Sequence, residues 1–201
     1  MKKIQFCSNC VTPNTRPGIS FDAHGVCNGC QWAMKKREIN WEQRLGMLKE
    51  RLAQRLEKTR QYSAYDCVMT ISGGKDSTFQ AWFAKEVLGL HVLGVRVEPL
   101  MPNDLAEHNC RNISASVGID VVSLINNKKV FAKLSKECFL RWGNPYIPFY
   151  YNIFSQTARV ALERGIPFLV IGEDGDAENG GYTSDEFHRL GGDNIHLRAG
   201  G

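Results

Sequence analysis

The sequence lacks any apolar run of 18 residues, and no apolar segment follows the basic residues at its start. These absences argue against a membrane span and a secretory signal, so we expect a cytoplasmic protein without a membrane partner. Neither sign of charge is in large excess, because the formal net charge is only +4 over 201 residues. That balance permits an anionic ligand but does not by itself favour nucleic acid.

Two common nucleotide-binding motifs are missing as well. A Walker loop needs four residues between its first glycine and Gly-Lys-Ser/Thr, and a dinucleotide site needs Gly-x-Gly-x-x-Gly. Instead, an apolar run at 67–71 leads into Ser-Gly-Gly-Lys-Asp-Ser at 72–77, and a helical pattern follows. A glycine turn between a strand and a helix presents unpaired backbone N–H groups and the positive end of the helix dipole to an anion. The segment therefore predicts a phosphate-binding loop and not an ordinary strand-to-helix turn.

Four of the seven cysteines form two Cys-x-x-Cys pairs that sixteen residues separate. This spacing is typical of a zinc ribbon, in which four thiolates bind structural zinc and leave no open coordination position. A redox motif would need only one of the pairs. His24, between the pairs, could replace a ligand, but we expect it to be exposed to solvent. The predicted zinc ligands are Cys7, Cys10, Cys27 and Cys30.

Short apolar segments and helical patterns alternate along the rest of the chain. Glycines follow several of the helical patterns, as expected for helix C-termini. The alternation predicts an α/β fold with a parallel, Rossmann-like sheet. Strands are expected at residues 65–71, 91–97, 119–125 and 167–172, and helices at 77–88, 103–117, 128–141 and 150–164.

An amphipathic helix with Asn40 as its N-cap is predicted from about residue 40 to residue 60, ahead of the first strand. Nine basic and four acidic residues lie between Lys35 and Arg60, and this excess could face RNA or simply solvent. The chain thus divides into a zinc ribbon (1–34), a connecting helix and linker (35–64), an α/β domain (65–176) and a glycine-rich tail (177–201).

Ligands of parallel sheets bind beyond the carboxyl ends of the strands, where the loop at 72–77 is expected. The last predicted strand runs into Glu173 and Asp174, which could hold Mg²⁺ beside a triphosphate or form a polar turn. An aromatic stretch at 143–151 could wall a base or sugar, or pack against the core.

The loop at 72–77 resembles the PP-loop of the ATP pyrophosphatases, the adenine nucleotide α-hydrolase-like enzymes that cleave ATP between its α and β phosphates. Such enzymes adenylate a substrate oxygen, release pyrophosphate and let a nucleophile displace AMP. The resemblance implies that the loop holds pyrophosphate, with Lys75 adding charge and Asp76 lying near Mg²⁺. The residues it implies for catalysis are Lys75 and Asp76, and those for ATP binding are Ser72, Gly73, Gly74, Lys75, Asp76, Ser77, Val95 and Glu173.

Both halves together resemble a narrower family. The order Cys-x-x-Cys-Val-x-Pro-x-Thr-Arg-Pro-Gly-Ile, Phe-Asp-x-x-Gly-Val-Cys-Asn-x-Cys, Asn-Trp-Glu-x-Arg and Ser-Gly-Gly-Lys-Asp-Ser is similar to that of the N-acetyl sugar amidotransferases. These PP-loop enzymes act in bacterial surface-polysaccharide synthesis, in O-antigen and nonulosonic acid pathways. The resemblance implies that ATP activates the acetamido oxygen of a nucleotide-linked sugar and that ammonia then gives an acetamidino group. A separate glutaminase would supply the ammonia. Members of the family are longer than this chain, so we expect the α/β domain to be incomplete and sugar recognition to lie elsewhere.

Two other functions compete with this one. PP-loop tRNA sulfurtransferases also carry zinc modules, and the basic residues between Lys35 and Arg60 suit an RNA substrate. Those enzymes usually place reactive cysteines near the active site, whereas Cys110 and Cys138 have no obvious partners in sequence. A zinc module on a non-catalytic, nucleotide-sensing domain is the second alternative.

Overall fold

A computed structural model describes residues 3–16 and 18–172. The described residues fall into two units, the first ending at Met47 and the second running from Leu48 to Gly172. The predicted tail at 177–201, and the carboxylates Glu173 and Asp174, lie outside the described residues. No helix in the described ranges combines the length and apolar composition needed to cross a bilayer.

The first unit contains the two cysteine pairs and helix α1 (Asn28–Glu38). Helix α1 was not predicted, because the cysteine pattern at its start indicates a zinc knuckle and not a helix. Cys27 has the extended backbone of an N-cap, and its sulfur accepts a hydrogen bond from the Cys30 N–H at 3.4 Å. Basic residues fill the last turn of α1, where they oppose the negative end of the helix dipole. The second knuckle is thus also a helix start.

Helix α2 (Trp41–Thr59) confirms the predicted amphipathic helix. Asn40 caps it, since its side-chain oxygen accepts a hydrogen bond from the Gln43 N–H at 2.9 Å. The apolar side of α2 is only partly buried, apart from Leu56, which is 6% exposed.

The second unit contains a parallel sheet that confirms the predicted α/β fold. Its four strands stand in the order β3-β2-β1-β4, with every neighbouring pair parallel. The strands are β1 (Cys67–Thr70), β2 (Val92–Val97), β3 (Asp120–Leu124) and β4 (Phe168–Val170). All four predicted strands are present, each somewhat shorter than its apolar segment.

Helices follow β1, β2 and β3, as the alternation predicted. Asn103 and Asn127 cap α4 and α5, each accepting two backbone N–H hydrogen bonds of 2.9 to 3.2 Å. The expected helix-ending glycines at 89, 118 and 165 all have positive φ. The helices are α3 (Lys75–Trp82), continued by a π-helical turn (Phe83–Val87), then α4 (Asp104–Val117), α5 (Lys128–Trp142) and α6 (Ile147–Glu163).

The start of α6 differs from the prediction, which placed it at residue 150. Pro148 occupies the first turn of the helix, where its fixed φ fits and its missing N–H costs nothing. Half of the aromatic stretch is therefore helical. Phe149 packs against the core, whereas Tyr151 is 76% exposed, so core packing accounts for part of the stretch and its role toward a base or sugar stays a prediction.

The main core lies on the α6 face of the sheet. Alternate residues of β1 and β2 point there, as the period of two requires. These strand residues pack against the buried side of α6, and Thr157 of that helix is fully buried. The buried members of the core are Val68, Leu93, Val95, Val97, Val160, Ala161 and Ile166.

Candidate functional site

The loop at 72–77 lies at the point where the chain changes direction across the sheet. From β1 the chain builds outward to β2 and β3, and then returns to place β4 on the other side of β1. Met69 pairs with Val170, so the carboxyl ends of β1 and β4 are level. Open parallel sheets bind ligands in the crevice at such a switch point. The loop leaves β1 directly at this crevice.

The glycines of the loop give it its shape. Gly73 has φ +76°, a left-handed conformation that favours glycine, and Gly74 is the extended N-cap of α3. No side chain caps α3, because its N-cap residue has none to offer. A helix start without a side-chain cap is a suitable place for an anion, and phosphate binding by this loop stays a prediction.

Two serine hydroxyls close the base of the loop. The oxygens of Ser72 and Ser77 are 3.2 Å apart, and the Ser72 N–H donates to the Ser77 hydroxyl at 3.3 Å. The Ser77 hydroxyl in turn donates to the Gly74 carbonyl at 3.1 Å. Ser77 is buried, whereas Ser72 is exposed. The structure brings both predicted serines together on one side of the loop.

Lys75 and Asp76 form an exposed ion pair at the start of α3. The ammonium and a carboxylate oxygen are 2.6 Å apart, and the side chains are 87% and 70% exposed. Exposed pairs of this kind contribute little to stability. Two charged groups at the mouth of a binding loop that do little for the fold are well placed to bind a charged ligand.

Gly73 sits directly against α4. A Cβ at this position would lie 2.3 Å from the Ala106 carbonyl oxygen, so no larger residue fits without movement. The Asn109 side-chain amide donates to the Gly73 carbonyl at 3.0 Å. Asn109 is not among the predicted site residues, because nothing in a helical pattern 36 residues away shows which side chain reaches the loop.

Two further predicted ligand residues lie elsewhere. Val95 is 1% exposed, its side chain packs in the core, and its carbonyl accepts a hydrogen bond from the Ile71 N–H at 2.9 Å. The position of adenosine beside it stays a prediction. Glu173 lies outside the described residues, just beyond Gly172. At Gly172 a Cβ would lie 1.5 Å from the Gln80 side-chain nitrogen, so α3 contacts the chain leaving β4 at the same crevice.

The cysteines outside the predicted zinc site are all buried. Burial raises the pKa of Cys67 to about 12. Burial also raises the pKa of Cys110, although nearby Arg96 opposes the shift. Thiols in this state are poor nucleophiles, because the thiolate is the reactive form.

The four predicted zinc ligands form one cluster. Their sulfur atoms all lie within 4.8 Å of one another. The Cys10 and Cys27 sulfurs are 3.6 Å apart, and those of Cys7 and Cys30 are 4.0 Å apart. Zn–S bonds of about 2.3 Å place the sulfurs of a tetrahedral site about 3.8 Å apart. The two shorter distances are close to this value, so the cluster fits a tetrahedral zinc site, and His24, which is exposed, is not part of it.

Hydrogen bonds to sulfur prepare this cluster for a cation. The Cys7 sulfur accepts from the N–H groups of Asn9 at 3.4 Å and Cys27 at 3.2 Å. Burial alone would raise the pKa of Cys7, but these backbone hydrogen bonds lower it to about 6. The Asn9 side-chain amide lowers the pKa of Cys30, but burial and the three other sulfurs outweigh it and raise that pKa to about 12. A divalent cation would relieve this mutual repulsion, since ligating thiols are deprotonated.

Comparison with known proteins gives a distant relative. No family model matches the sequence. The chain is 26% identical over 169 residues to an uncharacterised protein of Methanocaldococcus jannaschii, a match that covers 84% of this chain and 58% of that protein. The chain thus spans a little over half the length of the relative it matches.

Two solved structures show a partial likeness. One is an NH3-dependent NAD synthetase from Campylobacter jejuni, with a TM-score of 0.46, 12% identity, and coverage of 69% of this chain and 58% of that chain. The other is an NMN synthetase from Francisella tularensis, with a TM-score of 0.48, 15% identity, and coverage of 65% and 55% respectively.

Proposed function

We propose that the protein binds ATP at residues 72–77 and uses it to adenylate the oxygen of a substrate amide. The observation that carries this proposal is the loop itself: an uncapped helix start, two serine hydroxyls and an exposed lysine at the switch point of a parallel sheet. Each of these features suits a polyphosphate, because each offers a hydrogen-bond donor or positive charge.

In this proposal the loop N–H groups, Lys75 and the serine hydroxyls bind the phosphates. Asp76, and Glu173 outside the described residues, would supply carboxylate ligands for Mg²⁺, which neutralises phosphate charge. As the bond between the α and β phosphates breaks, negative charge grows on the departing pyrophosphate. Donors fixed around that position stabilise the transition state more than the ground state.

The substrate we propose is the acetamido group of a nucleotide-linked N-acetyl sugar, in surface-polysaccharide synthesis. Its carbonyl oxygen attacks the α-phosphorus and pyrophosphate leaves. Ammonia then adds to the activated carbon and AMP departs with the original carbonyl oxygen, which leaves an acetamidino group. Support for this choice comes from the order of the cysteine pairs, the connecting helix and the loop in one chain.

The ammonia would come from a separate glutaminase. A glutaminase built on a cysteine nucleophile needs an accessible thiolate. The three cysteines outside the metal cluster are buried, so none of them suits this role. Burial of these cysteines also argues against tRNA thiolation by a reactive cysteine of this chain. The feature that favours tRNA thiolation is the excess of basic residues in α1 and α2.

The test supplies the protein with MgATP, ammonium and a UDP-diacetamido sugar whose acetamido carbonyl carries a heavy-oxygen label. We expect AMP and pyrophosphate, replacement of the carbonyl oxygen by NH in the sugar, and the label in AMP. Lys75→Ala should lose this activity. Lys129→Ala, which removes an exposed lysine from the start of α5, should keep it. Thiolation of tRNA with the sugar unchanged would replace the proposal.

A further inference from the structure

The peptide that joins Gly73 to Gly74 lies at the centre of the loop, and its orientation decides what the loop offers a ligand. A trans peptide is planar, with its C=O and N–H pointing in opposite directions. Here the Gly73 carbonyl points to Asn109 of α4, and the Gly74 N–H is directed to the Ser72 hydroxyl at 3.3 Å. The Gly74 N–H is therefore turned to the side of the loop where the serine hydroxyls meet.

Rotation of this peptide by half a turn would reverse the arrangement. The carbonyl oxygen would then point to the serine side, where it would repel a phosphate. Two glycines flank the peptide, and glycine has no Cβ to hinder such a rotation. The next peptide is held differently, because the Gly74 carbonyl accepts hydrogen bonds from the Thr78 N–H at 3.2 Å and the Thr78 hydroxyl at 2.9 Å.

The Asn109 side chain that donates this hydrogen bond belongs to α4, a helix that is anchored to the sheet. An ion pair joins Glu107 of α4 to Arg96 of β2, and both side chains are largely shielded from solvent. The Ala106 carbonyl oxygen lies against Gly73 from the same helix. Asn109 therefore donates from a fixed position to a peptide whose other hydrogen bond, from the Gly74 N–H to the Ser72 hydroxyl, is made within the loop itself.

We propose that Asn109 is a positioning residue of the nucleotide site, which holds the Gly73–Gly74 peptide with its N–H toward the phosphate. The proposal deepens the function given above and rests on it, because it assigns a ligand to this N–H. Asn109 touches the loop and not the reacting atoms, so it acts through the peptide.

Two substitutions at one position separate positioning from packing. Asn109→Asp keeps the size of the side chain but replaces the N–H donor with a carboxylate, which repels the Gly73 carbonyl. Asn109→Ala removes the donor without repulsion. If the hydrogen bond positions the peptide, Asn109→Ala should weaken ATP binding about five- to tenfold and Asn109→Asp about a hundredfold. A packing role predicts the reverse order, with Asn109→Asp nearly harmless.

The matched controls are Asn112→Ala and Asn112→Asp, one turn further along α4. Asn112 is exposed, and its side chain contacts His108 of the same helix at 2.9 Å. Both control variants of the full chain should bind ATP as the wild type does. Titration calorimetry with MgATP measures all four variants, and thermal unfolding shows that each is folded.

A second measurement needs no nucleotide. With glycine-selective isotope labelling, the Gly74 amide signal should shift or broaden in Asn109→Asp and stay unchanged in Asn112→Asp. If the wild type binds ATP and Asn109→Asp binds it equally well, the positioning role is wrong. If the wild type binds no ATP, the proposed function fails, and the Gly74 signal alone decides whether Asn109 holds the peptide. An unchanged signal in Asn109→Asp overturns the inference in either case.

Discussion

Replacing Gly73 by alanine tests the contact between the phosphate loop and α4. The new Cβ would lie 2.3 Å from the Ala106 carbonyl oxygen, closer than Cβ atoms come to non-bonded atoms of other residues. Because the obstacle is helix backbone, the loop or the helix must move. Forced repacking of this kind costs about 1–3 kcal/mol. The left-handed conformation adds about 1–2 kcal/mol for a residue with a Cβ, so we expect a total loss of about 2–5 kcal/mol.

The matched control is Gly143→Ala. Gly143 has φ +69°, close to that of Gly73, but no atom lies within 4 Å of the Cβ position. This variant carries the conformational cost alone, about 1–2 kcal/mol. Urea unfolding followed by circular dichroism gives both values, and their difference isolates the clash. Equal losses in the two variants would show that α4 does not confine the loop, and the steric argument would be wrong.

Three further outcomes are expected. Asp66→Asn should cost about 2–4 kcal/mol at neutral pH, because it breaks the hydrogen-bonded ion pair of a buried carboxylate. Burial opposes ionisation of Asp66, but its arginine partner outweighs burial and lowers the pKa of this carboxyl. The ion pair therefore stabilises the fold above the unfolded pKa of about 3.9, and this stabilisation is lost as the pH falls below it. Urea unfolding should show that the difference in stability between wild type and Asp66→Asn is smaller in acid than near neutral pH. Gly94→Ala should cost about 1–3 kcal/mol in the same assay, because its Cβ would lie 2.7 Å from the Ile71 side chain. Ile71 is the residue before the loop, so this variant should also weaken ATP binding. Unchanged binding would show that a shift of Ile71 does not affect the loop. Cys27→Ser should remove zinc in elemental analysis, whereas Cys138→Ser should retain one zinc per chain; retention in Cys27→Ser would disprove the proposed ligand set.

Sequence patterns were sufficient for features that depend on near neighbours. The four strands are short apolar segments, and the glycine turn after β1 follows from residues within one stretch of chain. The cysteine cluster was equally predictable, because two knuckles of fixed spacing can meet at one cation. Helix capping by Asn40 depends on residues three apart and was also predicted.

Other features depend on which distant segments meet, and the sequence could not provide them. The return of β4 to the far side of β1 is one example, because the composition of short apolar strands does not show which strands pair with each other. The bond from Asn109 to Gly73 is another. The early start of α6 was missed for a local reason, since Pro148 ends helices in their interior but suits their first turn. The roles of Val95 and Glu173 toward a nucleotide stay predictions.

The strand order also determines when during synthesis the crevice can form. β1 and β2 are close in sequence and can pair as soon as both have left the ribosome. The other edge of β1 pairs only with β4, where Cys67 lies opposite Phe168, so this pairing comes later. Joining residues so far apart in sequence costs more chain entropy than pairing β1 with β2, and contacts of this kind form later than local ones. Until β4 docks, one edge of β1 has unpaired N–H and C=O groups, which can pair with another chain. A nascent chain that ends before residue 168 should therefore have the phosphate loop without the crevice, and the interval before β4 docks should be the time at which the protein is most prone to aggregate.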